Sequence, residues 1–254
     1  MRYFKSHKTI LIAVLSLLLS AALLLGGCGI YLLDYYKADE AAIASYVKDL
    51  PVRKEPLEDG SFVFLPEGTP RAGLIFYPGG KVEEEAYIPL LSAFAKEGIL
   101  CILVKMPFRL AIFDVDAAKD LRGLYPEITR WYIGGHSLGG AVASMHLEKE
   151  SAHYEGLLLL AAYSSADLSK TTLRVLSLYG SNDLVMNREK YEDSLKNLPK
   201  GYTEQVLEGG CHAHFGFYGA QKGDGTPTVS AVEQIEHSAE IFASFLDEQR
   251  ERKV

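Results

Sequence analysis

From residue 61 onward the chain alternates between two kinds of segment, and this restricts the fold more than any other property of the sequence. Short, largely apolar runs recur: "AGLIFY" (72–77), "ILCILVKMP" (99–107), "RWYIGGHS" (130–137), "GLLLLAAY" (156–163) and "RVLSLYG" (174–180). A strand that is apolar at nearly every position has both faces buried, as in a parallel sheet covered by helices on two sides. "SFVFL" (61–65) and "TEQVLEGG" (203–210) add an early and a last strand. Between the runs lie helix-length segments. "EEEAYIPLLSAFAKEG" (83–98) has acidic residues in its first turn and Gly98 after its end, which are start and stop signals. "DVDAAKDLRGLYPE" (114–127), "GGAVASMHLEKE" (139–150), "NREKYEDSLKNLP" (187–199) and "TVSAVEQIEHSAEIFASFLDEQ" (228–249) also read as helical. The expected fold class is therefore α/β, a mostly parallel central sheet with helices on both faces. The 254 residues suit one domain of this kind. In such sheets reacting groups sit at the carboxyl ends of the strands, which is the test for every candidate residue.

The N-terminus obeys a different rule. Arg2, Lys5 and Lys8 precede an uncharged stretch from Thr9 to Leu33 that ends at Asp34. About 25 helical residues cross a hydrocarbon core of about 30 Å. The basic flank predicts a cytoplasmic N-terminus with the bulk of the chain outside. Three readings stand: an uncleaved signal anchor, a lipoprotein in which "LGGC" (25–28) is a lipobox and Cys28 is lipidated, and a secreted protein. The apolar "GIYLLDYY" after Cys28, with Tyr31, Tyr35 and Tyr36 as interfacial anchors, favours the first. The expected division is a membrane anchor over 1–36, a juxtamembrane helix and linker over 37–59, and the folded α/β domain over 60–254. "KADEAAIASYVKDLP" supplies the juxtamembrane helix, closed by Pro51.

Gly135-His136-Ser137-Leu138-Gly139 fits G-x-S-x-G and lies between a predicted strand and a predicted helix, the context that pattern requires. The sharp turn holds the serine in a strained conformation, and the following helix directs its N-terminal amides toward developing negative charge. A serine needs a base and an orienting acid, expected in the order Ser, acid, His. Asp183 in "LYGSNDLV" follows a predicted strand, although an Asx turn is the ordinary use of Asp there. His212 and His214 in "LEGGCHAHFG" both follow the last predicted strand and are chemically equivalent at this stage. His136, His146, His153 and His237 fall in the motif's variable position or on helical and surface segments. One oxyanion donor is expected from the Leu138 amide, and the second from Gly80 or Lys81 in "YPGGKVEEEAY" (77–87). Glu83, Glu84 and Glu85 read as a solvated first helical turn. Cys211 beside His212 raises a Cys–His alternative, but sequence neighbours on a loop seldom face each other.

Other chemistry finds less support. The formal net charge of −7, with no basic cluster, argues against nucleic-acid binding. Three cysteines without a C-x-x-C pair suit neither a disulfide scaffold nor a zinc framework, and Cys101 lies inside an apolar run. "GAQKGDGTP" (219–227) lacks the strand–GxxxxGK[ST]–helix order of a phosphate loop and reads as an active-site loop. No cofactor and no metal are expected.

The segments "YPGGKVEEEAY", "LVKMPF", "GGHSLGG", "YGSND" and "GGCHAHFGFYGAQKGDG" together resemble a membrane-anchored bacterial group of α/β-hydrolases from about residue 60 to the end. The resemblance implies a dienelactone-hydrolase-like core and a Ser137–Asp183–His212 triad. In that group the last loop reads Gly-Gly-Asn-His-Ala, which aligns its histidine with His212 and puts Cys211 where the group has asparagine. Only "SSADLSKTTL" (164–173) separates two predicted strands where larger hydrolases carry a helical cap, so an open site is expected. The activity expected is hydrolysis of a small-molecule carboxylic ester by a serine hydrolase. A thioesterase, peptidase or acyltransferase would use the same triad, and the fold could also serve as a non-catalytic binding module.

Overall fold

The computed structural model describes residues 2–252, with side chains described for 10–27 and 29–248. The expectations placed on Arg2, Lys5, Lys8 and Cys28 lie outside the described side chains. The chain divides into two compact units, one ending at Tyr35 and one beginning at Tyr36. The first is a single helix, α1 (Arg2–Leu33). Its Ile10–Leu33 portion, 24 residues, is long and apolar enough to cross a membrane. A signal sequence near an N-terminus meets the same criterion of length and composition.

The second unit is an eight-stranded sheet with helices on both faces. Its strands are β1 (Arg53–Pro56), β2 (Phe62–Leu65), β3 (Ala72–Tyr77), β4 (Ile99–Leu103), β5 (Trp131–His136), β6 (Gly156–Leu160), β7 (Arg174–Gly180) and β8 (Thr203–Leu207). Their order is β1-β2-β4-β3-β5-β6-β7-β8. The strands from β3 to β8 pair in parallel, while β1 and β2 run antiparallel at one edge. Helices α2 (Glu40–Val47), α3 (Ile88–Lys96), α4 (Leu138–Glu150), α5 (Arg188–Ser194) and α6 (Ala231–Arg252) complete the unit.

The uninterrupted apolar runs follow from burial of both sheet faces. Leu74 and Phe76 of β3, and Leu158 and Leu160 of β6, enter one core with α3 and α6. Their neighbours Ile75, Tyr77, Leu157 and Leu159 enter a second core against α4. Alternate side chains of a strand point to opposite faces, so two cores demand apolar residues at both parities.

Three expectations need correction. Residues 114–127 do not form a helix; they run through turns and a short 3-10 segment at Leu121–Leu124. The backbone closes successive turns instead, such as Lys119 N–H to Asp116 O and Leu121 N–H to Ala118 O, and the Tyr77 hydroxyl pins them from outside, donating to the Val115 carbonyl and accepting the Ala118 amide, each at 2.9 Å. The run Glu83–Glu85 is not a solvated turn. Glu84 is 6% exposed, its carboxyl pushed up by burial, with the Lys105 ammonium 3.8 Å away. Glu83 accepts the Ala38 amide at 2.9 Å. Tyr36 is held within the folded unit. Its amide donates to Lys81 O at 2.8 Å, its carbonyl accepts the Glu83 amide at 2.9 Å, and its ring packs 5.6 Å from that of Tyr218. Residues 37–59 also join the folded unit, contributing Ile43 to the core and β1 to the sheet.

Candidate active site

Strand β5 ends at His136 and α4 begins at Leu138, so a single residue turns the chain from strand to helix. That residue is Ser137, with φ 52° and ψ −121°. The conformation costs a non-glycine residue about 1–3 kcal/mol and persists only where its surroundings enforce it. They do so here. The Ser137 amide donates to Leu160 O at 2.9 Å, extending the β5–β6 ladder by one bond. A Cβ at Gly135 would lie 2.5 Å from Gly139 C and from Tyr77 O, and one at Gly139 would strike the Tyr77 and Pro78 carbonyls. Both glycines are needed so that the turn can sit against the end of β3.

Asp183 follows β7 by three residues and is 4% exposed. One of its oxygens does what an aspartate usually does after a strand: Oδ1 accepts the amides of Val185 and Met186 at 2.9 and 2.8 Å. Oδ2 is thereby aimed at His212 Nδ1, 2.8 Å away. His212 is 1% exposed. An ionised carboxylate can only accept, so this bond requires the proton on Nδ1 and leaves the lone pair on Nε2. Nε2 has no hydrogen-bond partner among the described residues. Ser137 and His212 line the same cavity of about 320 Å³, together with Leu138, Ala161, Tyr163 and Met186.

Of the two histidines left open by the sequence, His214 has no hydrogen bond to an acid among the described residues, and burial pushes its pKa down. Cys211 is buried, and burial, then the nearby Asp224, pushes its thiol up to about 12. It is therefore a thiol and not a thiolate at neutral pH, which removes the support for a Cys–His pair.

The loop after β3 approaches the head of α4. A Cβ at Gly80 would lie 2.8 Å from Leu138 Cδ2, so glycine permits this contact. The Lys81 amide donates to Arg109 O at 2.9 Å, and the Gly79 amide donates to Tyr87 Oη at 3.0 Å. The amides of Gly80 and Leu138 donate to none of the described residues. No helix interrupts residues 161–173 between β6 and β7.

Two residues beside the site carried no signal in the sequence reading. His136 is fully buried, its ring centroid 4.5 Å from that of His212. Tyr87 Oη lies 2.8 Å from His136 Nδ1 while accepting the Gly79 amide, so the chain Gly79–Tyr87–His136 passes under the site. Burial first, then proximity to His212, holds His136 well below the ordinary histidine pKa. The other is Asp224, whose carboxylate takes backbone amides of the His212 loop.

A family model for an alpha/beta hydrolase family matches residues 73–236. A search of curated proteins gives no match. Among solved structures, a predicted CIB-like hydrolase from Thermoplasma acidophilum superposes with TM-score 0.54 at 17% identity, over 77% of this chain and 97% of its own. A protein from Thermus thermophilus superposes with TM-score 0.56 at 19% identity, over 78% of this chain and 97% of its own. At these identities the likeness is one of fold.

Proposed function

The chain belongs to the alpha/beta hydrolase family, and on that premise we propose that it is a serine hydrolase cleaving carboxylic esters through an acyl-enzyme. The observation that carries this reading is the buried Asp183–His212 pair at 2.8 Å, sharing a cavity with the strained Ser137. Ser137 Oγ attacks the ester carbonyl while His212 Nε2 takes its proton. The carbonyl electrons move to oxygen, and the resulting oxyanion accepts the amides of Leu138 and Gly80. Lys81, the other residue considered for that role, has its amide engaged with Arg109 O. The oxyanion collapses, the bond to the alkoxy group breaks, and the leaving alcohol takes the proton from His212. Water then attacks the acyl-Ser137 ester with the same base, releasing the acid. Asp183 holds the imidazole tautomer and stabilises its cation throughout.

A site without a helical cap suits small or protruding esters. The N-terminal helix tethers the hydrolase to a bacterial membrane, and the basic flank favours the extracytoplasmic side for the hydrolase domain. Fluorophosphonate labelling and p-nitrophenyl ester turnover, each lost in Ser137→Ala, are the expected results. A folded wild-type protein that neither labels nor turns over would move the reading to a non-catalytic binding module. Retention of the protein in the membrane fraction after high-salt and carbonate washing, with the hydrolase domain digested by protease added outside the cell, is expected of the tether. Release by salt, or protection from that protease, would refute it.

A further inference from the structure

Asp224 takes no part in the acyl transfer described above, yet it holds both of the loops that bring the acid and the base together. Its Oδ1 accepts the His212 amide at 3.2 Å, the Leu184 amide at 3.4 Å and the Gly225 amide at 2.9 Å. Its Oδ2 accepts the Ala213 amide at 2.8 Å. His212 and Ala213 belong to the loop after β8, and Leu184 is the residue after Asp183. One carboxylate therefore bridges the connection that carries the acid and the connection that carries the base. We propose that Asp224 is a positioning residue that locks these two loops together and so keeps Asp183 and His212 within hydrogen-bonding distance through the catalytic cycle.

The setting supports the assignment. Residues 208–212 belong to no strand or helix, so nothing regular fixes the backbone at His212. Gln234 grips the preceding peptide, accepting the Cys211 amide and donating to the Cys211 carbonyl at 2.9 Å each. Asp224 grips the peptides that follow. Its own loop is also held: Asn182 Nδ2 donates to Thr226 O at 2.9 Å, and the Lys222 amide donates to Tyr36 Oη at 3.1 Å. Gly225 is needed because a Cβ there would strike the Asn182 carbonyl. Burial alone would push the Asp224 carboxyl up, but the amides of Ala213 and His212 hold it below the ordinary carboxylate range. It therefore remains an acceptor at both oxygens. Asparagine has one acceptor oxygen and can serve either the His212–Leu184 side or Ala213, not both.

The inference rests on the serine-hydrolase reading, so the test has one arm that does not depend on turnover. The detergent-solubilised full chain and its Asp224→Asn and Asp224→Ala variants are assayed with p-nitrophenyl acetate. Their low-field proton NMR spectra are recorded, with His212→Gln identifying the Nδ1 proton bonded to Asp183. The expected result is a fall in kcat of about 10-fold for Asp224→Asn and about 100-fold for Asp224→Ala, the range for a displacement of about an ångström. KM should stay within about twofold, and the low-field resonance should broaden or vanish in both variants. If the alanine variant does not fold, the asparagine variant decides. Unchanged kcat with the resonance retained overturns the proposal. So does loss of activity that tracks loss of folded protein while the resonance persists. A wild-type protein that shows the resonance but no turnover overturns the hydrolase reading alone, and the NMR arm still decides Asp224. A wild-type protein with neither overturns both.

Discussion

Asp183→Asn separates hydrogen-bonding shape from charge, and the geometry predicts how the new amide will sit. Oδ1 accepts two backbone amides, the part-buried one of Val185 and the buried one of Met186. Turning the side-chain NH₂ toward them would leave two donors unpaired, at about 1–3 kcal/mol each. In the opposite orientation the oxygen keeps both bonds and the NH₂ faces His212 Nδ1 at the 2.8 Å position. That arrangement asks only that His212 change tautomer, so it wins. The cost then appears in catalysis. The proton now sits on Nε2, and no lone pair is available to accept from Ser137. Regaining the base requires the amide to flip, at about 2–6 kcal/mol in all, and the imidazolium has also lost its carboxylate. The expected loss is about 10³–10⁴ in kcat/KM, or about 4–5.5 kcal/mol. Thermal stability should change little, because both amide bonds survive. The assay is p-nitrophenyl ester turnover beside a thermal melt. Activity within tenfold of wild type, in a folded protein, would refute the role given to Asp183 and the tautomer argument with it.

Gly135→Ala places a Cβ 2.5 Å from Gly139 C and from Tyr77 O, which are backbone atoms that cannot swing aside. It should destabilise the domain by about 1–3 kcal/mol in urea unfolding and displace Ser137; a variant with wild-type stability and labelling would contradict the steric account of the turn. His136 gives a pH signature. Its folded pKa lies below its unfolded value of about 6.5, so below that pH the unfolded chain binds more protons and stability falls as pH falls. Wild type should therefore lose stability faster than His136→Gln below pH 6.5, by up to about 1.4 kcal/mol per pH unit until the folded pKa is reached. Parallel curves for the two proteins would rule this out.

What the sequence carried and what it hid divide along physical lines. The central strands were legible because burial on two faces forces apolar residues at every position, as in "ILCIL" of β4. The edge strand β1, "RKEP", is exposed at all four positions, so it bears no pattern that distinguishes it from a linker. Residues 114–127 have helical composition, but they close a run of three-residue turns, and the Tyr77 hydroxyl, about 40 positions away, takes the Val115 carbonyl and the Ala118 amide. Near Ser137, the residue types and spacing of the turn expressed its steric demands directly. Asp224 and His136 were hidden because their partners are backbone amides and a tyrosine hydroxyl, neither of which selects a neighbour in the sequence. Tyr36 read as a membrane-interface residue by composition, and only the parallel bridge to Val82 shows where it goes.

That bridge also bears on force. The chain enters the folded unit at Tyr36, and its backbone is hydrogen-bonded to Lys81 and Glu83, one and three residues after Gly80. Tyr36 Oη in turn takes the Lys222 amide, two residues before Asp224. Any pull along the N-terminal segment is delivered first to these two loops, ahead of the sheet. A shortened form that starts after residue 36 would discard the clasp along with α1, so the mechanical start of this domain lies in front of Tyr36.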